Sequence, residues 1–280
     1  MHIEKLSYKI HKDSRLENLT LNVNHLQQET EFYLELGFKI IEKTQNRVFL
    51  SSNGKKPFTL SLSQSLQNKK STTGLYHFAI LLPDKQSLSN LYNHILHSDK
   101  ITLQGAGNHG VSKALYLNDP EGNGIEIYFD EKNWNPKDMK MDVLDFEDLL
   151  KSKSRKIWSG LPEDAKLGHI HLQVSDLEKS NLFYGQILGM KHTFSFEGAS
   201  FFAIDNYHHH IGLNTWRQLK EPNLNNLGLN YFTIMLPNKS EFEKLIENLK
   251  QNNLQIEKTE ESFFIKDPNN IRIKIGYERK

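Results

Sequence analysis

A histidine and a glutamate, both common metal ligands, occupy predicted strand positions where a polar side chain needs a partner. On the strand predicted over 76–82, side-chain alternation places His77 opposite to Tyr76. On the strand predicted over 124–129, Glu126 lies between two isoleucines. An isolated carboxylate is costly to bury, so we expect Glu126 to contact a charged partner or a metal ion.

A third strand, predicted over 169–174, carries His169 and His171 on one face, with aliphatic side chains on the other. Taken singly, each histidine or glutamate would more often be a satisfied structural residue. Together, at corresponding positions of a repeated unit, His77, His169 and Glu126 supply two neutral imidazoles and one carboxylate. This set suits divalent iron or manganese with several coordination positions left open.

The elements that position these residues belong to an internal repeat. GLYHFAILLPDK at 74–85 recurs as GLNYFTIMLPNK at 228–239, and an Asp-Pro pair falls near the end of each half. The sequence therefore predicts two domains joined by a linker, with the boundaries 14–130, 131–166 and 167–280.

Each half divides again into two strand–helix–strands units, since period-2 alternation is followed by a helical period and by Gly or Pro punctuation. The fold class is α+β, with four βαβββ modules. Within the linker, 143–150 predicts one or two amphipathic helical turns, and the rest is expected to pack partly on the surface. Helices are predicted over 27–36, 86–97, 177–188 and 239–252.

The densest cluster of chemically active residues is GNHGVSKALYLNDPEGNGIE at 107–126. As ordinary structure it predicts a loop, a strand, a tight turn marked by Asp-Pro and Gly-Asn-Gly, and a second strand. This interpretation explains the turn. It does not explain why His109, Tyr116 and Glu126 fall on the two arms of that turn.

The same segment resembles the signature of extradiol ring-cleavage dioxygenases, in which a histidine, an aliphatic residue, Tyr, Asp-Pro, Gly and Glu follow at set spacings. The four modules resemble the vicinal-oxygen-chelate superfamily, whose glyoxalase/bleomycin-resistance/extradiol dioxygenase fold has cupped mixed sheets. The resemblance extends over nearly the whole chain outside the linker and is greatest to two-domain catechol 2,3-dioxygenases. The positions that fill the signature are His109, Leu115, Tyr116, Asp119, Pro120, Gly122 and Glu126.

The resemblance implies a role for each site residue. His77, His169 and Glu126 would be the metal ligands. Tyr116 would hydrogen-bond a substrate hydroxyl, and His109 would lie behind the ligands or over the substrate. An acid–base histidine is expected in YHHHIGLN at 207–214, where His209 fits the spacing best. Alternation would place His209 on the face opposite to His208 and His210, so that only one set lines the site.

In many members of the family the metal lies in the last module, and this chain departs from that pattern. Tyr231 stands where the histidine should be, Lys274 where the glutamate should be, and Asn18 at the equivalent place in the first module. The ligands therefore belong to modules 2 and 3, which must face each other in one bowl. If modules 1 and 2 pair instead, His169 is remote and the triad fails.

The activity implied by the resemblance is cleavage of a catechol beside its diol by dioxygen, giving a muconic semialdehyde. The expected cofactor is Fe(2+), with Mn(2+) as the alternative, and the expected partners are a small aromatic diol and O2. Two other functions stay open on this scaffold. One is a glyoxalase-like metal-dependent isomerase or transferase, and the other is a non-catalytic protein that binds small aromatics.

Composition excludes several other classes of protein. The 280 residues include 35 Lys plus Arg against 34 Asp plus Glu, giving a net charge of +1, which argues against nucleic-acid binding. Cysteine is absent, so thiolate metal sites and disulfides are excluded and the 13 histidines must supply nitrogen ligands. No apolar stretch is long enough to span a membrane, and no signal peptide is predicted. We expect a cytoplasmic protein in which exposed strand edges allow homo-oligomer formation.

Overall fold

The computed structural model describes residues 8–66, 71–155, 158–221 and 227–279. Its strands and helices follow one another as four βαβββ modules, as the repeat predicts. The first half contains modules 1 and 2. Module 1 is β1 (Arg15–Val23), α1 (Leu26–Glu35), β2 (Lys39–Lys43), β3 (Arg47–Ser51) and β4 (Leu60–Gln64), and module 2 is β5 (Gly74–Leu82), α2 (Lys85–Ile95), β6 (Leu103–Asn108), β7 (Ser112–Asn118) and β8 (Gly124–Asp130).

A connector with a 3-10 turn (Pro136–Asp138) and the short helix α3 (Phe146–Leu150) leads to the second half. Modules 3 and 4 then repeat the plan. Module 3 is β9 (Lys166–Gln173), α4 (Leu177–Asn181) with a π-helical continuation (Leu182–Ile187), β10 (Lys191–Phe196), β11 (Ala199–Ala203) and β12 (Ile211–Asn214), and module 4 is β13 (Gly228–Leu236), α5 (Lys239–Gln251), β14 (Glu257–Lys258), β15 (Phe263–Lys266) and β16 (Arg272–Tyr277).

The strands form two eight-stranded mixed sheets, each built from one module of either half. One has the order β14-β15-β16-β13-β1-β4-β3-β2 and joins module 4 to module 1. The other, here called the site sheet, has the order β10-β11-β12-β9-β5-β8-β7-β6 and joins module 3 to module 2. The α+β class with mixed sheets is thus confirmed, and modules 2 and 3 share one sheet as the ligand assignment requires. The domain boundaries 14–130 and 167–280 stay a prediction.

The central pairings of both sheets cross between the halves of the chain. Strand β1 runs antiparallel to β13, and β5 runs antiparallel to β9. Inside each module the first strand pairs with the last in parallel, which requires the intervening helix as a crossover connection. Helix starts follow ordinary capping chemistry, since the Asp84 carboxylate accepts the Ser87 amide at 2.8 Å at the start of α2.

Two buried tyrosine–aspartate hydrogen bonds tie the sheets together. Tyr33 on α1 donates to Asp119 at 2.9 Å, joining module 1 to the turn between β7 and β8 of the site sheet. In the second half, Tyr184 donates to Asp267 at 3.2 Å and joins module 3 to module 4. The two Asp-Pro turns of the sequence therefore serve as matching attachment points between the sheets.

Two local features differ from the sequence prediction. The βαβββ pattern requires a strand after α2, but its position at β6 was not predicted, because the segment LQGAGN is rich in glycine and lacks β-branched residues. The helix predicted over 177–188 is α-helical only over its first five residues and then widens into a π-helical turn. Among the described residues no helix has both the length and the apolarity needed to cross a membrane.

Candidate metal centre and cavity

Three adjacent strands of the site sheet bring the candidate ligands together. Ala79 on the central strand β5 is in register with Glu126 on β8 and with His169 on β9. His77 lies two residues before Ala79 and therefore on the same face of β5. Ala79 itself has only a methyl group, which is fully buried in this part of the sheet.

The three side chains converge on one point. The Nε2 atoms of His77 and His169 lie 3.0 Å and 3.1 Å from the same oxygen of Glu126, Oε2. One ligand atom from each residue lies within 4.8 Å of the other two. All three residues are buried, with 2–8% of their surface exposed. The sequence-predicted triad is thus a single cluster in the structure.

A divalent cation fits this cluster. The buried Nε2 of His77 has no hydrogen-bond partner, although it faces the Glu126 carboxylate. A buried nitrogen without a hydrogen bond is unfavourable, and a cation bound by both the imidazole and the carboxylate would satisfy it. Two imidazoles and one carboxylate are the donor set of non-haem iron sites with open positions. The chemistry of the donors therefore indicates a bound metal ion.

Electrostatics keep the ligands in metal-binding protonation states. Burial alone would raise the pKa of Glu126, but the adjacent imidazoles of His169 and His77 hold that pKa well below its usual range. Burial lowers the pKa of His169 even though Glu126 acts in the opposite direction. An ionised carboxylate and a neutral imidazole are the forms that coordinate a divalent cation.

The structure corrects the prediction that Tyr76 points away from His77. The pairing of β5 with β9 shifts register between Leu75 and His77, so Tyr76 is the extra residue of a β-bulge. As a result both Tyr76 and His77 line the cavity. The alternation rule fails here because a bulge adds one residue to the two-residue period.

Tyr116 and His109 form a pair at the side of the triad. His109 Nε2 and the Tyr116 hydroxyl lie 2.7 Å apart, and both residues line the cavity. The Tyr116 ring centroid is 5.9 Å from that of His77. Burial and then the nearby charge of Glu126 raise the pKa of Tyr116 well above its usual range, so the phenol stays a hydrogen-bond donor.

The three consecutive histidines do not alternate on a strand, contrary to the prediction. They precede β12 in a turn, and the Nδ1 atoms of His208 and His209 lie 2.8 Å apart. Only His209 of the three lines the cavity. His210 is used structurally, because its Nδ1 accepts the Ile204 backbone amide at 3.0 Å. Burial and neighbouring positive charge lower the pKa of His210 to about 3.

With this geometry established, comparison with known proteins identifies the family. Residues 15–127 and 166–275 match the Glyoxalase/Bleomycin resistance protein/Dioxygenase superfamily. The chain belongs to this superfamily. It is 38% identical over 275 residues to Catechol-2,3-dioxygenase of Bacillus subtilis (strain 168), a match covering 92% of this chain and 95% of that protein.

Solved structures of the superfamily share the fold. A Bacillus subtilis (subsp. subtilis strain 168) protein proposed to be a dioxygenase aligns with a TM-score of 0.70 at 11% identity, covering 98% of this chain and 87% of that one. A glyoxalase I mutant from Zea mays aligns with a TM-score of 0.61 at 18% identity, covering 95% and 92%. At these identities the likeness supports the architecture alone.

Many activities use this superfamily scaffold, so the surroundings of the triad decide what it can do. The cavity has a volume of about 1090 Å³, and the triad forms only a small part of its lining. One side of it is aromatic and is here called the aromatic wall. Its members are Tyr76, Phe194, Phe196, Phe201 and Trp216.

The ring of His171 lies between the triad and the aromatic wall. His171 stacks edge-on against His77 at 5.0 Å and against Phe201 at 5.5 Å, and Phe194 lies parallel to Phe201 at 4.2 Å. Phe196 and Trp216 are each 41% exposed, which is unusual for large aromatic side chains in a cavity. The wall is the feature that sequence reasoning missed, although Phe194 and Phe196 stand at alternate positions of one strand.

The connector also contributes to the cavity, rather than only packing on the surface. Asp142 forms an isolated antiparallel bridge with Asn108 at the end of β6, with backbone bonds of 2.9 Å and 3.1 Å. This bridge places residues 139–143 along the rim of the cavity, and Met141 and Val143 stay largely exposed there. The sequence predicts only a linker here, because most residues of the segment 131–166 are polar.

The equivalent positions of the other sheet are hydrogen-bonded instead of ligand-like. Thr233 takes the place of Ala79 and donates to Asn18 at 2.8 Å, and Lys274 is in register with Thr233 at the place of Glu126. Tyr231 receives a hydrogen bond from Arg47 at 3.0 Å. Within the described parts of the chain, the triad in the site sheet is the only group of three potential ligands.

Proposed function

We propose that this chain is an extradiol dioxygenase that cleaves a catechol beside its two hydroxyls, with both atoms of dioxygen entering the product, a muconic semialdehyde. The observation that carries the proposal is the convergence of His77, His169 and Glu126 on one buried point in an aromatic-walled cavity. The similarity to a relative named Catechol-2,3-dioxygenase supports it. We place the enzyme in the cytoplasm.

The metal would be held by the two imidazoles and the carboxylate, with iron(II) as our assignment and manganese(II) as the alternative. When bound, such an ion supplies Lewis acidity for the diol and redox chemistry toward dioxygen. The triad leaves the cavity side of the cluster free, where a diol and dioxygen would have access. In the remaining steps the side chains around the triad act on the substrate.

Tyr116 and His209 are the groups that act on substrate protons and charge. The Tyr116 hydroxyl, held by His109, donates a hydrogen bond to a substrate oxygen as negative charge develops there. His209 lies beside the ligand His169, with their ring centroids 4.3 Å apart. From that position its imidazole accepts a proton from a substrate hydroxyl and later returns it to the product.

The aromatic wall binds and orients the ring. Offset or edge-on contacts between aromatic rings add about 0.5–1.5 kcal/mol to ordinary apolar burial. A catechol ring over His77 and His171 would contact Phe201 and Phe194 next along the wall. Holding the diol in one orientation lowers the entropic part of the barrier.

Oxygen uptake tests the proposal. The full-length protein is loaded anaerobically with iron(II), metal content is measured, and catechol and substituted catechols are added with dioxygen. We expect oxygen consumption and a yellow semialdehyde product. Bound metal with no oxygen uptake contradicts the proposal and favours a glyoxalase-like reaction, and tight binding of catechol without turnover favours a binding protein.

The Glu126→Gln variant links the activity to the triad. It should lose both metal and oxygen uptake, because a neutral amide replaces the only anionic ligand. Glu131→Gln is the matched control, since Glu131 lies just after β8 and pairs with Lys113 on the protein's periphery. A Glu126→Gln variant that keeps metal and activity would rule out this ligand assignment.

A further inference from the structure

A chain of hydrogen bonds leads from His209 away from the cavity to a carboxylate. His209 Nδ1 lies 2.8 Å from His208 Nδ1, and His208 Nε2 lies 3.0 Å from Asp130 Oδ1. Asp130 is the last residue of β8, the strand that carries Glu126. The site sheet therefore fixes both the carboxylate ligand and the far end of this chain.

The other oxygen of Asp130 belongs to a separate set of hydrogen bonds that does not include His208. This oxygen accepts the Tyr207 hydroxyl at 2.9 Å, and the Tyr207 and Tyr128 hydroxyls lie 2.8 Å apart. No lysine or arginine in the described part of the chain forms an ion pair with Asp130, so the side chain that faces its Oδ1 is the imidazole of His208. His208 itself is 1% exposed and packs against Trp134 at 5.5 Å between ring centroids.

Hydrogen-bond polarity along the chain determines where the protons lie. An ionised carboxylate only accepts, so the proton of His208 lies on Nε2. An imidazole with its single proton on Nε2 accepts at Nδ1, and the group that faces Nδ1 of His208 is Nδ1 of His209, which then donates. The remaining nitrogen of His209, Nε2, consequently carries the lone pair of a ring that lines the cavity.

We propose that Asp130 and His208 are positioning residues that hold His209 in the Nδ1–H tautomer, with its basic Nε2 presented to the substrate. The inference rests on the proposed function, in which His209 accepts a substrate proton. The logic matches that of serine hydrolases, where a buried aspartate fixes the tautomer of the catalytic histidine. Here a second histidine lies between the carboxylate and the base.

The Asp130→Asn variant of the iron-loaded enzyme tests this role. Asparagine can present its NH2 group to His208 and reverse the order of protons along the chain. We expect kcat to fall roughly 10- to 100-fold, with KM for catechol, metal content and melting temperature close to wild type. His208→Phe, which removes both hydrogen bonds, should lose as much.

Tyr207→Phe is the matched control, because it removes the other hydrogen bond to the same carboxylate and leaves His208 untouched. Its kcat should stay at the wild-type value. Wild-type kcat in Asp130→Asn would overturn the proposal. So would a loss of kcat that appears only together with loss of metal, or an equal loss in Tyr207→Phe, because each indicates a structural role alone.

Nitrogen-15 NMR of the imidazoles gives a second readout that needs no turnover. The full-length protein is labelled at histidine and loaded with zinc, which is diamagnetic. We expect His209 to carry its proton on Nδ1 in the wild type and on Nε2 in Asp130→Asn. Protonation at Nε2 in the wild type contradicts the proposal. A wild type with the Nδ1 proton but no catechol cleavage keeps the positioning role and rejects only the proposed activity.

Discussion

Ala79 occupies the centre of the three strands that carry the candidate ligands. Its methyl group is in register with both Glu126 and His169 and is fully buried. In Ala79→Val two added methyl groups would enter the space between the ligands. We expect metal content to fall strongly although every ligand is still present, as measured by metal analysis of the purified protein.

Ala203→Val is the control for this substitution. Ala203 is equally buried, but it lies in β11, which pairs with β10 and β12 and carries none of the candidate ligands. Overpacking should destabilise both variants by about 1–3 kcal/mol. Only Ala79→Val should lose metal, and a metal-replete Ala79→Val would show that the ion is not held between these strands.

Tyr116 has a different role in the proposed function, in which its hydroxyl contacts the substrate rather than the metal. Tyr116→Phe should keep its metal content and lower kcat by roughly tenfold to a hundredfold, because the missing hydroxyl no longer stabilises charge on the substrate. Oxygen-uptake kinetics measure the change. Tyr92→Phe, on α2 and outside the cavity, should be unaffected, and equal kinetics in both variants would remove Tyr116 from the mechanism.

The sequence correctly predicts which face of a strand a site residue occupies where side-chain alternation along that strand is regular. His169 and Glu126 lie on the expected faces, with Ile170, Ile125 and Ile127 in the core. Tyr76 could not be placed, because a bulge depends on the partner strand and leaves no mark in the local pattern. The Asp130–His208 contact was likewise beyond the sequence, since it joins residues 78 positions apart.

At the scale of elements, Glu29 on α1 is buried against the turn that holds Asp119. Its Oε1 accepts the Glu121 backbone amide at 2.8 Å. Burial and then the neighbouring charge of Asp119 raise the pKa of Glu29 from 4.5 to about 9. The folded protein therefore keeps Glu29 protonated at neutral pH, whereas the unfolded chain releases that proton.

This difference gives a testable pH dependence. Below pH 4.5 both states are protonated and there is no penalty, and between 4.5 and about 9 stability falls as pH rises. Glu29→Gln imitates the protonated form, so its free energy of unfolding should exceed that of wild type by about 1–2 kcal/mol at pH 8. The gap should close toward pH 4.5, as measured by denaturant unfolding.

Glu31→Gln on the exposed side of the same helix serves as the control and should show no such gap. A Glu29→Gln variant less stable than wild type at pH 8 would show that Glu29 is ionised in the fold.

The helix and the turn around Glu29 could be predicted from the Asp-Pro pair and from hydrophobic periodicity in the sequence. The turn holding the three histidines could not, because its residues look like the start of β12.

At the scale of the whole molecule, neither half of the chain completes a sheet by itself. Both central pairings, β1 with β13 and β5 with β9, join residues from opposite halves. Fragments 1–155 and 156–280, produced separately, should therefore each lack metal binding. Mixed and refolded together, they should recover it, as followed by size exclusion with metal analysis.

A second fragment carrying His169→Ala is the control and should associate without restoring the metal. If fragment 1–155 alone bound metal as tightly as the full protein, modules 2 and 3 would not share the site.

The repeat in the sequence predicts the four modules. It does not determine which modules pair, because all four have nearly the same pattern.

Because each sheet combines modules from both halves of the chain, the order of synthesis affects the newly made protein. A ribosome releases His77 and Glu126 well before His169, so a nascent chain holds two of the three candidate ligands and an open strand edge at β5 until β9 emerges. The metal can be captured only after most of the polypeptide has been synthesised. Loading of the ion thus becomes available only to chains in which translation has passed His169 and β9 has paired with β5.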